Sequence, residues 1–189
     1  MTAEDDPHDL DRFLLAQKDS FLQALAEIRS GQKQSHWMWY IFPQFDGLGF
    51  SSMSRRYAIK NAAEARAYLR HPVLGPRLAQ CCEAAVAVDG RSAAKVFGSP
   101  DDMKLRSCAT LFAAVSPPGS VFEQVLDRFF HGARDGQTVR LLSLPHYSDS
   151  SAWSQNALTR DGRRCIRRRA RRAWWPRRAR VSAHRLGIS

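Results

Sequence analysis

The sequence lacks most of the marks that assign a chain to a functional class at once. No stretch of its 189 residues approaches the roughly 20 apolar residues that a membrane-crossing helix needs. The N-terminal region holds no basic start followed by an apolar run; it opens acidic, with Glu4, Asp5 and Asp6. On that pattern no cleaved secretory leader is expected, and a cytoplasmic location is the expectation. The four cysteines (Cys81, Cys82, Cys108 and Cys165) include no C-x-x-C pair, and two of them are adjacent, a poor geometry for bridging. A reducing compartment fits, with Cys81 and Cys82 as small core residues of an apolar helix. Cys108, flanked by apolar residues, has nothing nearby in sequence to lower its pKa and is a poor nucleophile. There is no Walker loop, no G-x-S-x-G and no H-E-x-x-H, and the histidines have no metal-ligand spacing. Gly47-Leu48-Gly49 lacks the third glycine and the preceding strand of a dinucleotide loop. No metal is expected, no cofactor is named and no reaction is specified.

Negative charge is scarce in one place only. Residues 1–142 hold 17 basic and 16 acidic residues, whereas residues 143–189 hold 12 arginines, no lysine and two aspartates. The net charge of +11 therefore belongs almost wholly to the last quarter of the chain. That segment contains Arg167-Arg168-Arg169-Ala170-Arg171-Arg172 and then Trp174-Trp175, with almost no apolar periodicity. It is expected to be disordered, because it cannot bury enough surface to offset its ordering entropy. Three readings are open for it: a basic arm that binds nucleic acid through guanidinium–phosphate contacts and tryptophan stacking, a solvated tail, or GC-rich DNA read out of frame. Nucleic acid is a partner only if this segment is genuine.

Strand signals are few, and helical signals follow one another. Asp9 stands before the stripe Leu10, Phe13 and Leu14, and Ser20 before Phe21, Leu22, Leu25 and Ile28, closed by Gly31. Asn61 can cap Ala62–Arg70, which Pro72 stops, and Leu74, Leu78, Cys81, Cys82 and Ala85 form another stripe. Ser92 can cap a short turn ending at Gly98. Ser99, with Pro100 at the first helical position and Asp101 and Asp102 after it, reads as the start of a helix running to about Val115. Ser120 and Glu123 have capping-box spacing before Val121–Phe129, and Asp135 can cap a last helix to Leu142. The expectation is an all-α orthogonal bundle of six to eight short helices in residues 1–142. The basic tail, 143–189, follows it.

One segment carries the candidate chemistry. In Ser35-His36-Trp37-Met38-Trp39-Tyr40-Ile41-Phe42-Pro43-Gln44-Phe45, five of eleven residues are aromatic. An aromatic wall beside a histidine and an amide suits a planar ligand such as a base or nicotinamide; the alternative is that the large rings are core. His36 is the candidate general acid/base, the side chain whose unperturbed pKa lies near neutrality. Lys104 and Ser107 share a helix face, where Lys104 can receive a phosphate or carboxylate, or else pair with Asp101 at i, i+3. Arg106 points away from that face and is read as solvated. The serine-rich loop before Arg55, Arg56 and Tyr57 is a second place for an anion. His71, before Pro72, sits at a helix end where an imidazolium can meet orphan carbonyls.

Several of these motifs together resemble a known family. Ser35-His36-Trp37-Met38-Trp39-Tyr40-Ile41-Phe42-Pro43-Gln44, Tyr57-Ala58-Ile59, His71-Pro72-Val73-Leu74-Gly75 with Arg77-Leu78, Val96-Phe97-Gly98, Asp102–Ser107 and Thr110-Leu111-Phe112 resemble, in order, the bacterial and fungal domain of unknown function 1810. The resemblance spans about residues 7–142. It implies a small multihelical cytosolic domain and brings no activity with it. It also implies an end near the last short helix, so that residues from about 143 depart from the family pattern.

The reading that results is a helical domain with a pocket between helices for a small planar, anionic or nucleotide-like ligand. Trp37, Trp39 and Tyr57 would form the wall; His36, Gln44, His71, Lys104 and Ser107 would supply polar contacts. A non-enzymatic protein-interaction module is the competing reading, and nucleic-acid binding through the arginine-rich segment is the third.

Overall fold

The computed structural model describes residues 6–144, and the expectations for residues 145–189 lie outside the described residues. The described residues form ten helices: α1 (Asp11–Gln17), α2 (Phe21–Arg29), α3 (Met38–Ile41), α4 (Ser52–Arg56), α5 (Ala62–Arg70), α6 (Leu74–Val86), α7 (Ala93–Phe97), α8 (Asp101–Ala114), α9 (Val121–Phe130) and α10 (Gly136–Leu142). The all-α class is as expected. The two helices beyond the expected eight are α3 and α4, each too short for a hydrophobic period to register in sequence. Among the described residues the only β feature is an isolated parallel bridge between Phe45 and Ile59.

Three of the expected side-chain caps form. Asn61, Ser92 and Asp135 all have extended backbones and accept from Glu64 N, Lys95 N and Thr138 N respectively. Other expected caps fail. Asp9 takes a positive φ of 50°, and Asp6 Oδ2 accepts from Asp11 N at 2.9 Å in its place. Ser20 is already in helical conformation, so its hydroxyl turns back to Ala16 O at 2.7 Å. Ser99 does not cap α8: the helix begins one residue later than expected, with Pro100 at the cap position and Asp102 N donating to Gly98 O. Ser120 makes no cap bond, and Glu123 Oε2 accepts from Gly119 N rather than from Ser120.

The centre of the bundle is made of α6 and α8. Helix α6 packs on α2, α5 and α9, and α8 packs on α7, α9 and α10. Between them lies one continuous apolar core with an aromatic spine: Phe13 meets Tyr68 edge-on at 5.0 Å, Tyr68 meets Phe112 at 5.5 Å, and Phe112 meets Phe122 at 5.5 Å. Close approach of α5 and α6 depends on Gly75, where a Cβ would lie 2.1 Å from Leu69 O. His71, in the loop joining them, closes α5 through its backbone N–H, which donates to Ala67 O at 2.9 Å, but its imidazole does not serve that end. Its Nδ1 accepts from Val73 N and Leu74 N at 3.1 and 3.3 Å, which caps the start of α6.

Two buried carboxylates tie loops to this frame. Glu64 pairs with the Arg12 guanidinium, which also donates to the carbonyls of His8, Asp9, Arg56 and Ala58. Glu27 gathers the chain before α3: its Oε2 accepts from Gln34 N, Ser35 N and Trp37 Nε1 at 2.8, 3.0 and 2.8 Å. Arg106 is not simply solvated; it donates to the carbonyls of Ala133 and Arg134 at the turn before α10.

Candidate functional site

Three segments far apart in sequence meet around an open cleft of about 940 Å³, within the size range of small-molecule sites. Helix α3 and the loop after it contribute Trp39, Gln44 and residues 48–51, and α4 contributes Ser54. The start of α8 contributes Pro100, Met103, Lys104 and Ser107. The start of α10 contributes Asp135, Gly136, Gln137 and Arg140.

Contacts with the rest of the domain hold these residues in place. Trp37 anchors α3: its indole is 1 % exposed, and its N–H donates to Glu27. Although burial raises the Glu27 pKa, hydrogen bonds from Ser35, Gln34 and Trp37 outweigh it and hold the group at about 2. Gln44 is placed by the β bridge, where Ile59 N donates to Gln44 O at 2.9 Å. The 47–51 loop lies so close to α4 that a Cβ on Gly49 would come within 2.6 Å of Ser54. Helix α10 is tied to α8 by Asp135 N, which donates to the buried Thr110 Oγ1 at 2.8 Å.

The charged centre of the cleft is Lys104. Its ammonium lies 2.7 Å from Asp101 Oδ1 and 4.6 Å from the centre of the Trp39 ring. Asp101 also pairs with Lys33 at 2.8 Å. Burial raises the Asp101 pKa, but hydrogen bonds from Lys104 and Lys33 more than offset this, and the group stays below its ordinary value. Lys104 thus makes the i, i+3 pair with Asp101 and also lines the cleft.

Of the residues singled out in the sequence, Trp39, Gln44, Lys104 and Ser107 come together here. The other four do not line this cleft. Trp37 and Tyr57 are core, Tyr57 packing its ring 5.7 Å from Phe13 and 5.4 Å from Tyr40. His71 caps α6, and His36 is exposed. Arg55 and Arg56 do not line the cleft either, although Ser51, which caps α4, and Ser54 of the same helix do. Sequence reasoning missed Phe50, Gln137 and Arg140. Gln137 and Arg140 follow the Asp135 cap, the one local signal that could have drawn attention to them.

The cleft brings no acid–base pair together. Its ionisable groups are Lys104, Asp135 and Arg140, and Asp135 is occupied in capping Thr138 N and Oγ1. The thiols of Cys81, Cys82 and Cys108 are buried, and burial pushes all three pKa values up, that of Cys81 to about 12. Among the described residues no group of three or more His, Cys, Asp or Glu side chains is placed to hold a metal ion, and no helix is long and apolar enough to cross a membrane.

Comparison with known proteins agrees with this architecture. The crystal structure of the conserved hypothetical protein Rv1873 from Mycobacterium tuberculosis, at 1.38 Å, is 45% identical to the chain, with a TM-score of 0.72. The match covers 74% of this chain and 99% of that one. No curated protein matches. Residues 7–142 match the family described as "Protein of unknown function (DUF1810)". The chain is therefore a member of the DUF1810 family, an uncharacterised helical domain.

Proposed function

We propose that the cleft between α3, α8 and α10 binds a small planar ligand carrying an anionic group. The observation that carries this reading is the Lys104 ammonium 4.6 Å from the centre of the Trp39 ring, on the wall of a cleft that Gln44 and Ser107 also line. A half-buried indole offers flat apolar surface, an adjacent ammonium offers charge, and an amide and a hydroxyl offer directional hydrogen bonds. This combination favours binding over catalysis, because the cleft lacks paired acid and base groups. His36 is not given a catalytic role.

The test is a thermal-shift screen of the full chain against nucleotides, nicotinamide compounds, sugar phosphates and amino-acid derivatives. A ligand at about 100 times its Kd adds roughly 2.7 kcal/mol and raises Tm by several degrees. The shift should disappear in Lys104→Met and persist in His36→Ala. A flat screen of a folded protein would refute small-molecule binding. It would favour the second reading, a protein-interaction surface, for which the specific observation is that Phe50 and Met103 line the same cleft while 84% and 47% exposed.

A further inference from the structure

Lys104 is held by a carboxylate that it shares. Asp101 gives one oxygen to Lys104 at 2.7 Å and the other to Lys33 at 2.8 Å. Each ammonium also stands against an indole, Lys104 at 4.6 Å from Trp39 and Lys33 at 5.2 Å from Trp37. The two lysines differ in access. The Lys33 side chain is 9% exposed and does not line the cleft; that of Lys104 is 22% exposed and does. One carboxylate between two ammonium groups leaves one positive charge uncompensated. Asp135 and Arg140, which line the same cleft, offset each other in charge.

We infer that Lys104 is an exchangeable cation: an oxyanion entering the cleft takes Lys104 from Asp101, while Lys33 keeps the carboxylate compensated. The physical basis is the cost of stranding a partly buried charge. With a single lysine partner, Asp101 would lose its counter-ion whenever Lys104 turned to a ligand. With Lys33 fixed on its other oxygen, the exchange leaves no carboxylate unpaired. The inference rests on the cleft being the ligand site proposed above, and it specifies the ligand's polar end. The excess of one positive charge suits one oxyanion group, a carboxylate or a phosphate monoester, attached to a planar ring that lies along Trp39. Asp101 and Lys33 act as positioning residues and need not touch the ligand.

The test is isothermal titration calorimetry of the full chain with benzoate, phenyl phosphate and, as a neutral control, benzyl alcohol. Wild type is expected to bind at least one of the anions, and the stronger of the two identifies the oxyanion. Asp101→Asn, which releases Lys104, should tighten anion binding about fivefold to tenfold, the scale of one partly buried ion pair. Lys33→Met should weaken it by a similar factor, although Lys33 lies outside the cleft, and Lys104→Met should abolish it. Affinity for benzyl alcohol should be the same in all four proteins, which a general structural disturbance would not leave unchanged. Anion binding that does not tighten in Asp101→Asn, or does not weaken in Lys33→Met, overturns the exchange and leaves the binding site standing. No binding of either anion by wild type overturns both. Should Lys33→Met fail to fold, Asp101→Asn decides alone, since it is isosteric.

Discussion

Glu27→Gln tests whether the Glu27 charge, and not only the shape of its side chain, holds the aromatic segment in place. In the folded chain Oε2 accepts three N–H groups, and Oε1 accepts from Gln23 Nε2 at 3.2 Å and from the Ser35 hydroxyl. A glutamine can put its carbonyl at the three-donor position. Its NH2 then faces Ser35, which can turn to accept, and Gln23, which is exposed and can move. What is lost is the charge on the acceptor. The folded pKa of about 2 lies below the ordinary 4.5, so the stabilisation is fully present above pH 4.5 and disappears as pH falls through 2. That difference corresponds to a contribution on the order of 3 kcal/mol at neutral pH, of which about 2 kcal/mol is gone by pH 3. Urea unfolding of wild type and Glu27→Gln should therefore differ by about 3 kcal/mol at pH 7 and by about 1 kcal/mol at pH 3. Taking the difference between the two proteins cancels the other carboxylates that titrate in the same range. A difference below about 1 kcal/mol at pH 7, or one that is the same at both pH values, would refute the reasoning.

Two further substitutions probe the frame of the cleft. Gly75→Ala forces a Cβ to within 2.1 Å of Leu69 O, so α5 and α6 must separate; we expect a loss of about 3 kcal/mol or more in urea unfolding, and a loss below 1 kcal/mol would mean that the helices part at little cost. Thr110→Val is nearly isosteric but leaves Asp135 N without its acceptor, so stability should fall by about 1–2 kcal/mol, and amide exchange should quicken in α10 while α6 is unaffected.

Much of the helix pattern was legible in the sequence because it is local. Asn61, Ser92 and Asp135 cap helices through bonds to an N–H three residues on, and Gly31 closes α2 with a φ of 71°. The same residue types at Asp9, Ser20 and Ser99 did not cap, because a cap also needs an extended backbone or the right register, and packing fixes both. Helices α3 and α4, of four and five residues, left no period to read.

The cleft shows the same division more sharply. Sequence alone marked Trp37 and Trp39 as equivalent, two tryptophans in one aromatic run. At about 100° per residue, side chains two apart in a helical turn point to nearly opposite sides. Tertiary packing gave one to Glu27 in the core and the other to the cleft. Lys104 and Ser107 could be assigned to one face because i, i+3 spacing is a property of the helix itself. That this face meets Trp39, Gln44 and Arg140 could not be read in advance, since it depends on α10 packing against α8 and on the bridge to Ile59 that places Gln44. Local hydrogen bonding and periodicity are written within a few residues of chain; the convergence of distant side chains is decided by how the finished helices pack.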